Sequence, residues 1–285
     1  MPPSSGFSRL SSMRPARLHR CSAWSALALA SLVSLAACER RAAPPEGGAP
    51  AGPREEALPA ASAPAAAAPA EVEFLEEITG GADRSEALPL IVAIHGLGDR
   101  PESFAGLLAG ADVKARLVVP RGLAPYGDGY SWFPLQQALA SDAVGQGILR
   151  AAAALAATIE RISAERPTRG KAIVTGFSQG GALTFALALH HPRVVGAAFP
   201  VSGWVPPAVL SGTSAADPAA PALVALHGDA DRRVPIGPTR DAIAALAGRG
   251  VKATLESYPG VGHTVTGEMR RDLLQLIRGA AAEMR

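Results

Sequence analysis

The stretch "IVTGFSQGGAL", residues 173–183, joins an apolar, β-branched run to an Ala/Leu-rich segment through Gly176-Phe177-Ser178-Gln179-Gly180. The first half has the composition of a buried strand and the second that of a helix. A serine between two glycines at this spacing, with a strand before it and a helix after it, sits where a nucleophile elbow is built. Larger side chains at Gly176 or Gly180 would clash in so sharp a turn, and the turn lifts the Ser178 hydroxyl away from the sheet.

The same alternation extends outward. "LPLIVAIHG" (88–96), "ARLVVPRG" (115–122), "KAIVTGFS" (171–178), "VVGAAFPVSG" (194–203), "PALVALHG" (221–228) and "KATLESYPG" (252–260) read as strands ending near Gly or Pro. Helical stretches lie between them, at about Asp142–Glu165, Gly180–His190, Pro238–Gly248 and from Thr266 to the C-terminus. Continuous apolar runs such as "LIVAI" suit strands covered on both faces, so the expected fold class is α/β, a mostly parallel sheet between helical layers. "EFLEEI" near Glu73 is expected to add an antiparallel edge strand.

The N-terminal part differs in kind. Arg9, Arg14, Arg17 and Arg20 precede an apolar stretch from Ala23 to Ala37, the order of a secretory signal and too short for the roughly 20 residues that span a bilayer. It ends in Leu35-Ala36-Ala37-Cys38, which resembles the lipobox of bacterial lipoproteins, where the cysteine is acylated and becomes the new N-terminus. Residues 39–70 are rich in Pro, Ala and Gly without apolar periodicity, the composition of a tether. The expected organisation is a signal peptide over 1–37, a lipid-anchored linker over 38–70 and one folded domain over 71–285, exported and held at a membrane. The two cysteines are Cys21 and Cys38, so the expected domain holds no thiol. With 48% hydrophobic residues, a net charge of +2 and no basic stretch interleaved with aromatics, the composition supports a buried core and disfavours nucleic-acid binding.

Ligands of open parallel sheets bind beyond the carboxyl ends of the strands. Gathered there are "HGLGD" (95–99), "GFSQGG" (176–181), "HGDAD" (227–231) and "GVGHT" (260–264). A serine hydroxyl needs a base, and the base needs an orienting group. His190 and His191 close the helix after Ser178 and read as surface caps, while His95 and His227 precede strand-end glycines and read as packing residues bonded to backbone. His263, in a Gly-rich loop, is the candidate base. Asp229 and Asp231 both qualify as the acid in the chain order Ser, Asp, His, and order alone does not choose between them. Gln179 N–H, at a helix N-terminus directly after Ser178, and Leu97 N–H in the glycine-freed "HGLGD" turn are candidate oxyanion donors.

"IHGLGD", "GFSQGG", "HGDAD" and "GVGH" in this order, across about 170 residues, resemble the phospholipase/carboxylesterase family of α/β-hydrolases, which includes the acyl-protein thioesterases. The resemblance implies that Ser178 is the nucleophile, His263 the base and Asp231 the acid, with oxyanion donors at Leu97 and Gln179. It implies an acyl-enzyme mechanism on a small-molecule or lipid ester, with no metal and no organic cofactor. "YGDGYSWFPL" departs from the family, which carries an acidic residue beside its aromatic where Phe133 and Pro134 follow Trp132 here. Fewer than twenty residues separate Gly203 from Pro221, so no large cap is expected, and the cleft should be lined by Leu97, Trp132 and Phe133, with cleft wall and ordinary packing both open for Trp204. Feruloyl esterases, polyester depolymerases and dienelactone hydrolases share much of this layout and form the alternative activities. A non-catalytic, lipid-anchored binding protein on the same fold is the alternative from a different class.

Overall fold

The protein is described by a computed structural model over residues 71–135, 138–211, 213 and 220–284. The expected signal, Cys38 and the expected tether lie outside these residues. Among the described residues nine strands run β1 (Phe74–Ile78), β2 (Leu88–Ile94), β3 (Arg116–Pro120), β4 (Ala124–Tyr126), β5 (Gly129–Ser131), β6 (Thr168–Phe177), β7 (Val195–Val201), β8 (Ala222–Gly228) and β9 (Ala253–Tyr258). The helices among the described residues are α1 (Pro101–Ala105), α2 (Asp142–Glu165), α3 (Gln179–His190), α4 (Pro207–Leu210), α5 (Ile236–Gly248) and α6 (Gly267–Glu283). Seven strands form one sheet in the order β1-β3-β2-β6-β7-β8-β9. All neighbours pair in parallel except β1, which runs antiparallel along β3 as the edge strand expected from "EFLEEI".

Two cores explain why β2 is apolar at every position. Side chains of a strand alternate between faces. Leu90, Val92 and Ile94 enter a cluster with Ile148 and Leu155 of α2 and with Leu183 and Leu187 of α3. Ile91 and Ala93 enter the opposite one, with Phe104 of α1 and Met269, Leu273 and Ile277 of α6. Ser141 caps α2, accepting from Val144 N at 3.4 Å, and Thr266 caps α6, accepting from Met269 N at 3.2 Å. Helix α5 starts at Ile236, two residues ahead of the expected Pro238, because Pro238 is tolerated in a helix's first turn. The hairpin of β4 and β5 was not apparent from the sequence. Its three-residue strands lie in a polar, Gly-rich loop with no two-residue alternation long enough to register.

Edge strand β1 is fastened through charge. Arg116 of β3 is fully buried and its guanidinium meets Glu76 of β1, whose side chain is 12% exposed. Arg84 and Arg166 also reach Glu76, at 3.1 and 3.5 Å. Removing one partner of a buried ion pair leaves the other uncompensated, at a cost of about 3–5 kcal/mol. Glu76→Ala should therefore lose stability on that scale in urea unfolding, and an unchanged midpoint would show that the pair contributes nothing.

Candidate active site

Strand β6 lies between β2 and β7 and ends with Phe177, and α3 begins at Gln179. Ser178 alone turns the chain between them, at φ 57° and ψ −114°, a left-handed conformation in a non-glycine residue. Such geometry costs on the order of 1–3 kcal/mol and persists only where its surroundings enforce it. The neighbours do so. A Cβ at Gly180 would overlap the Ile94 carbonyl, and one at Gly176 would sit 2.8 Å from the same oxygen and closer still to Gly180. The two glycines let α3 start flush against β2, with its positive dipole end behind Ser178.

The Ser178 hydroxyl lies 2.9 Å from His263 Nε2, and His263 Nδ1 lies 2.7 Å from Asp231 Oδ2. The Asp231 side chain is fully buried and that of His263 is 12% exposed. Asp231 Oδ1 accepts from Arg233 N and Val234 N, each at 2.9 Å, which fixes the carboxylate and turns Oδ2 toward the imidazole. The other acid of the loop binds backbone instead. Asp229 Oδ1 accepts from Gly260 N at 2.7 Å and ties the loop after β8 to the loop that carries His263. Ala230 N adds a bond to Val261 O at 3.0 Å, and a Cβ on Gly228 would overlap that oxygen. The Phe177 ring packs against the His263 ring at 4.8 Å between centroids, a contact that sequence reasoning missed because Phe177 reads simply as the variable residue of the Gly-x-Ser-x-Gly motif.

Gln179 does more than supply the N–H after Ser178. Its side chain is fully buried, accepts from Trp132 N at 3.0 Å and donates to Phe133 O at 2.9 Å. These bonds clamp the segment after β5 beside the elbow, across 47 residues of sequence, a separation that no local pattern reveals. Leu97, Trp132 and Phe133 line one cavity of about 520 Å³ with Leu123, Tyr126, Pro134 and Leu135. Trp204 is not among them. It is a core residue, 4% exposed, edge-on to Phe133, with its indole donating to Leu139 O at 3.0 Å. His190 is half-buried and bonds to Val209 O at 2.7 Å through Nε2, so it joins α3 to α4 where a surface cap was expected. Among the described residues no group of three or more His, Cys, Asp or Glu could hold a metal ion.

The serine turn, the parallel sheet and the loops at its carboxyl edge define an α/β-hydrolase. Residues 76–280 match the phospholipase/carboxylesterase family, and the chain belongs to it. A rice protein (Oryza sativa subsp. japonica) named as a probable inactive carboxylesterase is 31% identical over 214 residues, 67% of this chain and 83% of that protein. Carboxylesterase SOBER1 of Arabidopsis thaliana is 31% identical over 141 residues, 48% of this chain and 61% of the relative. Its crystal structure superposes with a TM-score of 0.58 at 26% identity, covering 67% of this chain and 98% of that one. The crystal structure of esterase PE8, at 23% identity, shares the fold with a TM-score of 0.62 over 74% of this chain and all of that one.

Burial pushes the imidazoles of His95, His191 and His227 below the ordinary histidine value of 6.5, because the charged form loses its hydration. The unfolded chain thus binds these protons first as pH falls. Their contribution to stability is complete above 6.5 and is lost as pH drops through the lowered folded-state values. Calorimetry should give a melting temperature that is flat above about pH 7 and declines over the window in which pH falls from about 6.5 through the lowered folded-state values. A melting temperature constant across that window would contradict this assignment.

Proposed function

We propose that the protein is a serine carboxylic-ester hydrolase acting through an acyl-enzyme. The observation that carries this reading is the unbroken run of short hydrogen bonds from Ser178 through His263 to a buried Asp231. His263 Nε2 takes the Ser178 proton as Oγ bonds to the ester carbonyl carbon. The resulting oxyanion is held by the Leu97 and Gln179 backbone N–H groups, and collapse of the intermediate breaks the bond to the alcohol, which leaves with the proton from His263. Water, activated by the same imidazole, then cleaves the acyl-serine ester and restores Ser178. Asp231 stays ionised, keeps Nδ1 protonated and offsets the positive charge that forms on the ring. Base, nucleophile and electrostatics all come from the chain, so the reaction needs neither metal nor organic cofactor.

The cavity bounded by Leu97, Trp132, Phe133 and Leu135 suits the apolar or aromatic part of a small-molecule or lipid ester. Segment 204–220, where family lids insert, holds the four-residue helix α4 among its described residues, and its short length favours an accessible cleft. The hydrogen-bonded Ser178, His263 and Asp231 argue against a non-catalytic binding protein. We further propose that residues 38–70 tether residues 71–285 to a bacterial membrane through acylated Cys38, on the lipobox resemblance of Leu35–Cys38.

Hydrolysis of p-nitrophenyl esters of graded chain length tests the mechanism. Ser178→Ala should abolish turnover. Asp231→Asn should lower kcat by about 10⁴-fold, the loss expected when the base is left in the wrong tautomer. Asp229→Asn should cost less than about tenfold, through loop geometry alone. Equal losses at Asp229 and Asp231 would show that the assignment of Asp231 as the acid is wrong. For the tether, Cys38→Ala should move the protein from the membrane fraction to the soluble fraction, and a variant still held in the membrane fraction would rule out acylation as the anchor.

A further inference from the structure

His95 takes no part in the mechanism as written, yet both of its ring nitrogens are committed, one to the loop that carries Leu97 and the other to Gly122 in the loop after β3. The residue is fully buried. Nε2 accepts from Gly122 N at 3.0 Å, so the ring proton sits on Nδ1, which donates to Gly96 O at 2.7 Å. Burial holds the ring in the neutral form that this pairing requires. The backbone of His95 is itself pinned, because the Trp132 indole donates to its carbonyl oxygen at 3.0 Å.

The Gly96 carbonyl and the Leu97 N–H belong to one peptide unit, and in a trans peptide they point in opposite directions. Drawing the Gly96 oxygen toward the His95 ring therefore turns the Leu97 N–H away from it. A Cβ placed on Gly96 would lie 3.3 Å from the Phe177 ring and 3.5 Å from Ser178 Cβ, so this peptide unit abuts the serine turn. Asp99 N also donates to Gly96 O, at the longer distance of 3.3 Å. A carbonyl that accepts hydrogen bonds polarises its peptide and strengthens the N–H on the other end.

We propose that His95 is a positioning residue for the oxyanion hole: through its Nδ1–H bond to Gly96 O it orients and polarises the peptide whose N–H, at Leu97, receives the developing charge. The proposal rests on Ser178 being the nucleophile. It assigns a function to a histidine that otherwise reads as loop packing.

Two substitutions separate orientation from packing. In His95→Asn the side-chain amide takes roughly the place of Nδ1 and can still donate to Gly96 O. In His95→Gln it takes roughly the place of Nε2, serving Gly122 N while leaving Gly96 O to Asp99. With the full chain and p-nitrophenyl acetate, His95→Gln should lower kcat by about 10–100-fold, within the ~10²–10³-fold cost of losing an oxyanion donor outright. KM should change by less than about threefold, as for an interaction made in the transition state. His95→Asn should keep kcat within about threefold of wild type, rescued by the retained donor. The Leu97 amide resonance should move in His95→Gln and stay near its wild-type position in His95→Asn. Equal kcat losses in the two variants, tracking their losses in melting temperature, would overturn the proposal. A Leu97 amide unmoved by His95→Gln would do the same, whatever the esterase measurements give, so this readout stands apart from the identity of the nucleophile. In wild-type protein the ¹⁵N spectrum should show His95 as the Nδ1–H tautomer, and the Nε2–H tautomer would refute the role even if neither variant folds.

Discussion

The left-handed backbone at Ser178 is the constraint on which the rest of the site depends. A residue with a side chain is held at φ 57° because α3 must begin directly above β6 and flush with β2. No atoms can intervene, since a Cβ at Gly180 would overlap the Ile94 carbonyl. The strain is sustained by sheet packing on both sides, with Ser178 N donating to Val201 O at 3.0 Å. The turn lifts the hydroxyl clear of the sheet and puts the next N–H at the free start of a helix. The exposed hydroxyl and the proposed oxyanion donor are thus two products of one backbone restriction.

Around that turn the loops divide the remaining work through bonds that are mostly to backbone. Asp231 is aimed by two amides of its own turn, and Asp229 two residues earlier joins that turn to the His263 loop. The Gln179 side chain and the Trp132 indole lock the segment after β5 to the elbow and to β2. His95 sits between these parts, reading the β3 loop with one nitrogen and the Leu97 loop with the other. In this arrangement polar side chains buried at the carboxyl edge of the sheet act chiefly as clamps, which is what a preorganised electrostatic site requires. The departure from the family pattern at Phe133 and Pro134 falls on the clamped segment and therefore on the wall of the cavity.

Much of this was legible in the sequence, for reasons that can be named. Gly176 and Gly180 mark themselves because steric exclusion leaves no other residue possible there, and the apolar run before them has strand length. The β1 edge strand was visible as a short apolar–acidic segment ahead of the first parallel strand. His263 emerged because the other histidines have packing positions in or beside regular elements. The choice between Asp229 and Asp231 was not legible from spacing. Both lie in one turn, and their difference is which amides each carboxylate meets, a tertiary fact. The Gln179 side chain escaped notice for the same reason, its partners being near position 132, and for Trp204 cleft and core stayed equally open because an aromatic just ahead of two prolines looks alike in either. Cys38 and the proposed tether carry their signal in sequence pattern and composition alone and lie outside the described residues.

The proposed mechanism stands or falls on Ser178 being a nucleophile activated by its neighbours. The most direct measurement is incubation of the folded full chain with a fluorophosphonate, followed by peptide mass spectrometry. The mechanism predicts a single phosphonyl adduct on Ser178, lost when the protein is unfolded before the reagent is added. A folded protein left unmodified at Ser178, or labelled equally well after unfolding, would contradict it.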